Sequence, residues 1–435
     1  MRPNIKHDLT AIRANAAAFL KWLLFACLIG IITGVVGTAF HYAIDWATQM
    51  RIAHWWLIFL LPIAGLVIVA SYHITRMEDD RGTEFVISAV REGRVLRFRT
   101  APLIFLGTVL THLTGGSAGR EGAALQLGGC ISGSLGKLMR LDDKDERIIT
   151  MCGMAGGFSA LFGTPLAAAV FAMEVESIGV MYYAALVPCV LSALIANLVS
   201  TALGVASTSF TLTAVPGFSP LVFVQVVVLG ILCGVLANLF CRAISGGGQL
   251  YKKISNPYLR IVLGGVLVIL LTLLVRTGDY NGAGMGVITN ALAGQALPWA
   301  FALKILFTVL TLGAGFKGGE IVPCFFVGAT FGCAAAPLIG MDAGFGAALG
   351  MVSVFCGVTN SPMTSILLSY ELFGGQGVAL MALCAAVSYL LSGYSGLYHE
   401  QKIMYSKTEP VFLGRKSGEL TYPEEEATVS KPTEK

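Results

Sequence analysis

The stretch Gly115-Gly116-Ser117-Ala118-Gly119-Arg120-Glu121-Gly122 lies between two apolar runs, residues 101–113 and 123–138. An arginine and a glutamate therefore stand where the surrounding pattern places the membrane. A charged side chain at the middle of a membrane helix costs about 2.5–3.5 kcal/mol on insertion scales and is a functional candidate by default. Because glycine breaks a helix, Glu121 is predicted to stand at a helix start inside the membrane.

The composition is that of an integral membrane protein. Hydrophobic residues make up 55% of the 435 residues, charged residues only 12%, and mean hydropathy is +0.76. A soluble domain carries roughly 25% charged residues. At about 20 residues per crossing, the apolar stretches allow roughly ten or more spans. That number suits a transporter, a channel or an intramembrane enzyme.

Basic residues concentrate in three segments, residues 2–21, 76–99 and 242–260. By the positive-inside rule these segments are expected on the cytoplasmic side. The first apolar run begins near Phe19 and is long enough to remain as a membrane helix, so no cleavable signal peptide is expected. We predict a multi-pass protein of a bacterial-type inner (plasma) membrane, with the lipid bilayer and no nucleic acid as partner. Ten scattered cysteines without a CxxC pair predict buried free thiols, no metal site and no cofactor.

The expected fold is an all-α polytopic membrane protein in three segments. Residues 1–18 predict a cytoplasmic N-terminal helix, residues 19–405 the transmembrane domain, and residues 406–435 a polar cytoplasmic tail that is too short and polar to fold alone. Within the domain, residues 84–91 predict a short helix. Residues 221–240 and 259–275 predict two spans joined through Ser245-Gly246-Gly247-Gly248 and a basic turn.

An internal repeat relates the two halves of the chain. The matched segments are Thr108-Val109-Leu110-Thr111 with Thr308-Val309-Leu310-Thr311, Gly119-Arg120-Glu121 with Gly318-Gly319-Glu320, Thr164-Pro165 with Ser361-Pro362, and Glu174 with Glu371. The offset is 200 residues at Thr108 and 197 at Pro165, which predicts repeats over about residues 80–205 and 220–400. Paired glycine-broken segments in two halves indicate a transport site between the repeats.

The position of Glu121 supports two interpretations. A carboxylate there could simply complement the helix dipole, an effect of about 0.3–1 kcal/mol. Alternatively, because broken helix N-termini direct N–H groups at anions, the carboxylate could occupy an anion site and leave it when protonated. Both roles stay open for Glu320 in the second repeat. Arg120 and Lys317 either raise the local potential for anions or reach toward an interface.

Three further residues enter the alternatives. Glu174 and Glu371 end short apolar segments, which favours structural pairing with backbone groups. Gly115-x-Ser117-x-Gly119 fits a nucleophile elbow, so an intramembrane serine hydrolase is a remote alternative. Such an enzyme needs a base, and the chain has no histidine between residues 112 and 399. A cation carrier that uses Glu121 and Glu320 as ligands is a third possibility.

Several segments resemble the CLC family of chloride channels and anion/proton antiporters. Gly119-Arg120-Glu121-Gly122 resembles its GREG/GKEG signature, and Lys317-Gly318-Gly319-Glu320-Ile321-Val322-Pro323 resembles its GxFxP signature. Gly82 and Thr83 lie where the family has GSGIP, and Tyr398 lies where its anion-site tyrosine falls. The resemblance covers about residues 20–405. It implies two inverted-topology repeats of broken and tilted helices, a homodimer with one pathway per subunit, and Glu121 as the gating glutamate that carries the proton.

The resemblance also implies an anion-binding site. Its expected members, which present N–H groups or a hydroxyl, are Gly82, Thr83, Gly119, Arg120, Gly122, Gly319, Glu320, Ile321, Val322 and Tyr398. Three departures from the family pattern bear on the substrate. The serine and proline of GSGIP are absent, Val175 stands where chloride/proton antiporters carry an internal glutamate, and Glu320 stands in the second signature.

The last two of these features are typical of the fluoride/proton branch of the family. That branch's characteristic methionine near position 82 or 83 and threonine near position 322 are absent, since Gly82, Thr83 and Val322 stand there. We therefore predict a CLC-type anion/proton antiporter for fluoride or chloride. A passive voltage-gated chloride channel of the same family is the alternative.

Overall fold

The computed structural model of the chain describes residues 5–78, 82–92, 96–212 and 214–419, and in these ranges it contains sixteen α-helices. The first eight are α1 Ile5–Ala53, α2 Leu61–Ile74, α3 Thr83–Glu92, α4 Thr100–Leu113, α5 Glu121–Leu138, α6 Asp143–Phe162, α7 Pro165–Glu174 and α8 Leu186–Ala202. The second eight are α9 Pro220–Lys252, α10 Pro257–Val275, α11 Met285–Leu292, α12 Ala300–Ala314, α13 Ile321–Ala335, α14 Ala343–Thr359, α15 Pro362–Phe373 and α16 Val378–Leu391. The predicted break before Glu121 and the short helix near residues 84–91 are both confirmed.

Six helical segments of the described ranges are long and apolar enough to cross a membrane. They are Asn15–Ala53, Trp55–Ile74, Tyr183–Ala202, Pro220–Lys252, Pro257–Val275 and Ile321–Ile339. Shorter apolar helices, among them α4, α7, α12, α14 and α16, have 10–17 residues and are too short to cross singly. Interrupted helices of this kind are tolerated in a membrane only where their ends are buried in protein. The chain is thus a polytopic membrane protein of the predicted all-α class.

The two sets of eight helices follow one another in the same order, α1 to α8 and then α9 to α16. The loops before α5 and α13 meet in an antiparallel bridge, in which Gly119 N–H donates to Gly319 O (2.7 Å) and Gly319 N–H donates to Gly119 O (2.8 Å). Equivalent loops that run antiparallel are the signature of an inverted repeat. The repeat bounds at about residues 80–205 and 220–400 stay predictions.

Helix termini are fixed by the same local chemistry in both halves. Asp142 caps α6 by accepting from Asp145 N–H (2.8 Å), and Asp342 caps α14 by accepting from Phe345 N–H (2.8 Å). A side-chain acceptor at this position satisfies an N–H group that has no partner within the helix. α6 then ends at Gly163 and α14 at Asn360, both in the left-handed conformation. The proline that follows each of them begins α7 or α15.

Glycine permits two very close helix crossings. A Cβ atom on Gly128 of α5 would lie 2.0 Å from Gly153 O of α6, and a Cβ atom on Gly350 of α14 would lie 2.2 Å from Gly328 O of α13. Membrane helices gain most of their association energy from such close packing of small residues. The 52 glycines of the chain therefore include residues that bring backbones into contact, and not only residues that break helices.

The expected link at Ser245-Gly246-Gly247-Gly248 is wrong, because α9 continues through it to Lys252. A Cβ atom on Gly247 would lie only 2.3 Å from Val309 Cγ1 of α12. The glycine at 247 thus makes room for a neighbouring helix. Intrinsic helix propensity, which disfavours glycine by about 1 kcal/mol relative to alanine, is overridden there by packing.

The two ends of the chain differ from the sequence-based expectation. The described part of the predicted N-terminal helix is continuous with the first span, since α1 runs unbroken from Ile5 to Ala53. A small sheet of β1 (Ser177–Ile178), β2 (Lys402–Tyr405) and β3 (Phe412–Lys416) crosses the predicted boundary at residue 405. The first part of the tail therefore folds against the helices. Residues 1–4 and 420–435 lie outside the described residues, and the three-segment division stays a prediction.

A partly buried lysine secures this strand pair. Lys407 Nζ donates to Tyr389 O (3.0 Å), Ser392 Oγ (3.1 Å) and Gly393 O (2.6 Å). These acceptors lie at the C-terminal end of α16, where carbonyl groups lack helical partners and a cation is favoured. The contact holds the chain after Tyr398 against the helices.

Each half also supplies a cap to the other half. Glu174 accepts from Met363 N–H (3.0 Å) and Thr364 N–H (2.8 Å) at the start of α15. In return, Glu371 accepts from Leu166 N–H and Ala167 N–H, both at 2.9 Å, at the start of α7. The structural pairing with backbone groups that the sequence favoured for these glutamates is confirmed. All ten cysteines lie in the described ranges as free thiols, nine of them buried.

Candidate anion and proton site

The candidate site is built around the Gly119–Gly319 bridge. The bridge holds together two loops, one of which leads into α5 at Glu121 and the other into α13 after Glu320. The two helices therefore begin next to each other deep inside the protein. Their first N–H groups have no acceptor within the helix, and the positive ends of both helix dipoles meet there.

Glu121 occupies the start of α5 with its own carboxylate. Its side chain is 1% exposed, and Oε2 accepts from Arg120 N–H (3.0 Å). The carboxylate also accepts from its own backbone N–H, and Oε1 lies 3.5 Å from Arg120 Nε. A negatively charged group at this place is bound as a free anion would be at a helix N-terminus.

Glu320 stands at the equivalent place before α13. Its carboxylate accepts from its own backbone N–H, and Ile321 and Val322, which begin the helix, are buried. A Cβ atom on Gly122 would lie 3.8 Å from Glu320 Oε2, 3.0 Å from Thr83 Oγ1 and 3.1 Å from Gly319 Cα. The absence of a side chain at Gly122 thus lets the two loops and α3 converge on one point.

Thr83 begins α3 and is 8% exposed. Its hydroxyl donates to Gly122 O at 3.1 Å, which connects α3 to the loop that carries Glu121. Gly82 immediately precedes it with φ +71°, a conformation that glycine adopts without strain. The structure therefore brings the predicted Gly82-Thr83 segment to the site.

Tyr398 approaches from the segment after α16. It is 1% exposed, and within the described part of the chain its hydroxyl has no hydrogen-bond partner. Leu397 N–H donates to Val358 O (2.8 Å), and His399 N–H donates to Glu84 Oε1 (2.8 Å), so backbone bonds fix the tyrosine on both sides. A buried hydroxyl without a partner is costly, and a bound anion is one group that would satisfy it.

Three predicted anion-binding N–H groups are engaged elsewhere in this conformation. Those of Gly119 and Gly319 are used in the bridge between the loops, and that of Arg120 is used by the Glu121 carboxylate. Gly119 and Gly319 consequently form the frame of the site and do not offer their N–H groups to an anion. The sequence could not reveal this pairing because it depends on contact between residues 200 positions apart.

The basic side chains flank the site on two elements. Arg120 Nη1 donates to His41 Nδ1 (3.2 Å), while Lys317 Nζ lies 4.0 Å from the centre of the Tyr72 ring. Arg120 also lines a cavity of about 970 Å³ together with Arg51 and Arg276. This cavity extends to Gly115 and gives the loop before Glu121 an approach from one end of the molecule.

Two residues that support this loop were not predicted. Asn281 Nδ2 donates to Gly115 O (2.7 Å). Fully buried Lys304 donates to Gly282 O (2.7 Å), and Gly282 N–H donates to Gly116 O (3.0 Å). Lys304 carried a usable signal, since it is an isolated basic residue inside the apolar run 300–312. Asn281 carried none.

The contacts of Ser117 and His112 bear on the serine-hydrolase alternative. Ser117 Oγ lies 3.1 Å from Thr308 Oγ1, and His112 Nδ1 is bound to Thr108 O (2.9 Å), so the two do not form a serine–histidine pair. Among the described residues, no group of three or more His, Cys, Asp or Glu side chains is arranged to hold a metal ion.

Comparison with known proteins places this geometry in a family. A family described as "Voltage gated chloride channel" matches residues 64–393. The chain is 38% identical over 395 residues to a "Chloride/fluoride channel protein" of Pseudomonas syringae pv. tomato, with 89% of this chain and 87% of that protein covered. It is 27% identical over 429 residues to the "H(+)/Cl(-) exchange transporter ClcA" of Vibrio campbellii, covering 89% and 91% of the two chains.

Two solved structures have the same fold as this chain. A crystal structure of a CLC-type fluoride/proton antiporter aligns with a TM-score of 0.85 and 34% identity, covering 88% of this chain and 98% of that one. A slow cyanobacterial Cl⁻/H⁺ antiporter aligns with a TM-score of 0.74 at 22% identity, covering 85% and 94% of the two chains, which supports the fold alone. The matched region contains the Glu121 loop and the equivalent loop before α13, and the chain belongs to the voltage-gated chloride channel (CLC) family.

Proposed function

We propose that the protein exchanges a halide for protons across a membrane and that Glu121 carries the proton. The observation that carries this proposal is the position of the Glu121 carboxylate on Arg120 N–H at the start of α5. A carboxylate that occupies an anion site competes with the transported anion for the same donors. Protonation removes its charge and weakens that hold, so the two substrates exclude each other at one place.

The exchange then follows from this competition. When a proton binds Glu121, the neutral side chain leaves the helix N-terminus and a halide enters. When the halide leaves, Glu121 releases its proton to the opposite side and returns. Because an anion and a proton move in opposite directions, each cycle transfers net charge.

Three other side chains complete the proposed anion path. Tyr398 would donate its unpaired hydroxyl to the anion. Thr83 and Glu320 both approach Gly122, and N–H groups at the start of α13, including those of Ile321 and Val322, would face the anion. Glu320 would repel an anion when charged and admit one when protonated, so we assign it to the path as a second carboxylate.

We further propose fluoride as the preferred halide. The support is the higher identity to a protein named for chloride and fluoride and to a fluoride/proton antiporter than to the chloride exchanger of Vibrio campbellii, 38% and 34% against 27%. Chloride/proton exchange is the second candidate. A passive channel is the third, since the Pseudomonas relative is named a channel protein.

Reconstituted vesicles test the function directly. Proteoliposomes loaded with fluoride or chloride are diluted into anion-free buffer while anion efflux and proton uptake are recorded together. We expect fluoride efflux with stoichiometric proton uptake and at least tenfold slower chloride movement. Anion efflux that leaves proton movement at the level of protein-free vesicles would indicate a channel and contradict the proposal.

The proposed location is a bacterial-type inner membrane, with the cavity lined by Arg51, Arg120 and Arg276 (the Arg51 cavity) facing outward. The basic segment 76–99 follows α2 and therefore lies at the opposite end from Arg51, on the side expected to be cytoplasmic. We also propose a homodimer, because Leu166 of α7, Leu198 of α8 and Tyr370 of α15 present exposed apolar side chains on helices that pack against one another. Light scattering of the purified protein would reveal a monomer if this is wrong.

A further inference from the structure

A proton carrier buried at the centre of a membrane needs a titratable group between it and water. The Arg51 cavity serves one end of the molecule. At the other end, the site is closed by α3 and by the segment that carries Tyr398. A group that passes protons there must lie next to the anion site, reach water, and have a carboxylate that is not already occupied.

Glu84 satisfies the first two conditions. It lies in the first turn of α3, directly after Thr83, whose hydroxyl contacts Gly122 O within the site. Thr83 is buried, whereas Glu84 is half-buried. Two successive residues of the helix therefore have different surroundings: Thr83 contacts the candidate site, and Glu84 is partly accessible to solvent.

The contacts of Glu84 point toward the same site. Oε1 accepts from His399 N–H (2.8 Å), so the carboxylate is held against the segment that places Tyr398. The charge of Glu84 acts both on Glu320 and on Tyr398. Glu84 therefore adjoins two members of the candidate site, Thr83 in the chain and Tyr398 through the His399 contact.

Three other carboxylates among the described residues are occupied. Glu174 accepts two backbone N–H groups and the Thr364 hydroxyl. Glu176 is paired with Arg147, and Glu400 is paired with Lys416 (2.6 Å). Protonating any of them would disrupt a fixed structural contact. Glu84 differs, because a protonated carboxyl group can still accept from His399 N–H through its other oxygen.

We propose that Glu84 is the residue that passes protons between water at the α3 end and the buried Glu320 carboxylate. The inference rests on the proposed proton-coupled function. In the inward step, Glu84 takes a proton from water and releases it toward the site. Glu320 takes up that proton, so that Glu84 returns to the carboxylate and Glu320 becomes neutral.

Glutamine at position 84 separates this role from a structural one. Glu84→Gln keeps the oxygen that accepts from His399 N–H but cannot exchange a proton. Glu84→Ala removes both. We expect Glu84→Gln to slow fluoride-driven proton uptake in proteoliposomes at least tenfold, while fluoride affinity measured by isothermal titration calorimetry in detergent changes less than twofold. Glu78→Gln, at an exposed glutamate in the segment before α3, is the matched control and should behave like the unsubstituted protein.

Two outcomes would overturn this inference, and a third would overturn the proposed function instead. Normal proton uptake in Glu84→Gln, with slow uptake in Glu84→Ala or loss of that protein, would make the residue structural and overturn the inference. Loss of fluoride binding in Glu84→Gln would likewise overturn it, because the defect would then lie in the anion site. Absence of coupled exchange in the unsubstituted protein would instead be the failure of the proposed function itself.

Discussion

Glu121→Gln is expected to abolish proton transport. Glutamine retains an oxygen that can accept from Arg120 N–H, so the side chain can stay at the start of α5. It cannot take up and release a proton between about pH 4 and 9, and it is uncharged in both halves of the cycle. Fluoride-driven proton uptake should therefore fall to the level of protein-free vesicles, a loss of at least a hundredfold.

Anion movement in this variant tells how tightly the two substrates are linked. We expect either passive fluoride flux, if the neutral glutamine leaves the path open, or none, if it blocks the path. Both are read from fluoride-electrode and pH recordings on the same vesicles. Glu146→Gln is the control, since Glu146 is a partly exposed carboxylate whose only salt bridge within the described chain is with Lys137 at 3.7 Å. Full coupled exchange by Glu121→Gln would refute the assignment of the proton to this residue.

Gly128→Ala and Gly350→Ala are each expected to prevent stable folding. In an exposed helix the same change would stabilise the protein by up to about 1 kcal/mol. Here a single methyl group would stand 2.0 Å from Gly153 O in one case and 2.2 Å from Gly328 O in the other. Both obstacles are backbone atoms of a packed helix, which cannot rotate away, so each variant should lose about 3 kcal/mol or more through overpacking.

Thermal stability in detergent, followed by size-exclusion chromatography after heating, measures the loss. Each alanine variant should melt at least 10 °C below the unsubstituted protein or fail to be recovered as a single peak. Gly286→Ala is the matched control, because apart from the helix's own backbone no atom lies within 4 Å of a Cβ position on this glycine of α11. Melting of Gly128→Ala and Gly350→Ala within 2 °C of that control would show that the two crossings are looser than the structure has them.

The sequence predicted the members of the candidate site better than it predicted how the helices pack. Glu121 could be found because a charge among glycines is conspicuous in an apolar run, and the repeat identified Glu320, 199 residues further on, as its counterpart. Both signals are local or repetitive, so they survive without knowledge of the fold. The same reasoning was accurate for Glu174 and Glu371, for which it favoured pairing with backbone groups.

Features that depend on tertiary contact were not predictable. The glycines at 246–248 look like a turn, and only the approach of Val309 explains why α9 continues through them. The N–H groups of Gly119 and Gly319 look available to an anion until the two loops are seen to bind each other. The tail looks unable to fold because its partners, β1 and the end of α16, are far away in sequence.

The exchange of caps between Glu174 and Glu371 has a consequence for biosynthesis. The start of α7 obtains its acceptor only from residue 371, so roughly two hundred further residues must leave the ribosome before that helix end is satisfied. Until then, two N–H groups at a membrane-embedded helix start have no protein partner, a state that costs several kcal/mol in lipid. The first half therefore stays incompletely folded in the membrane until the second half has been made. The second half completes the capping of the first half, so the two halves reach the final structure together.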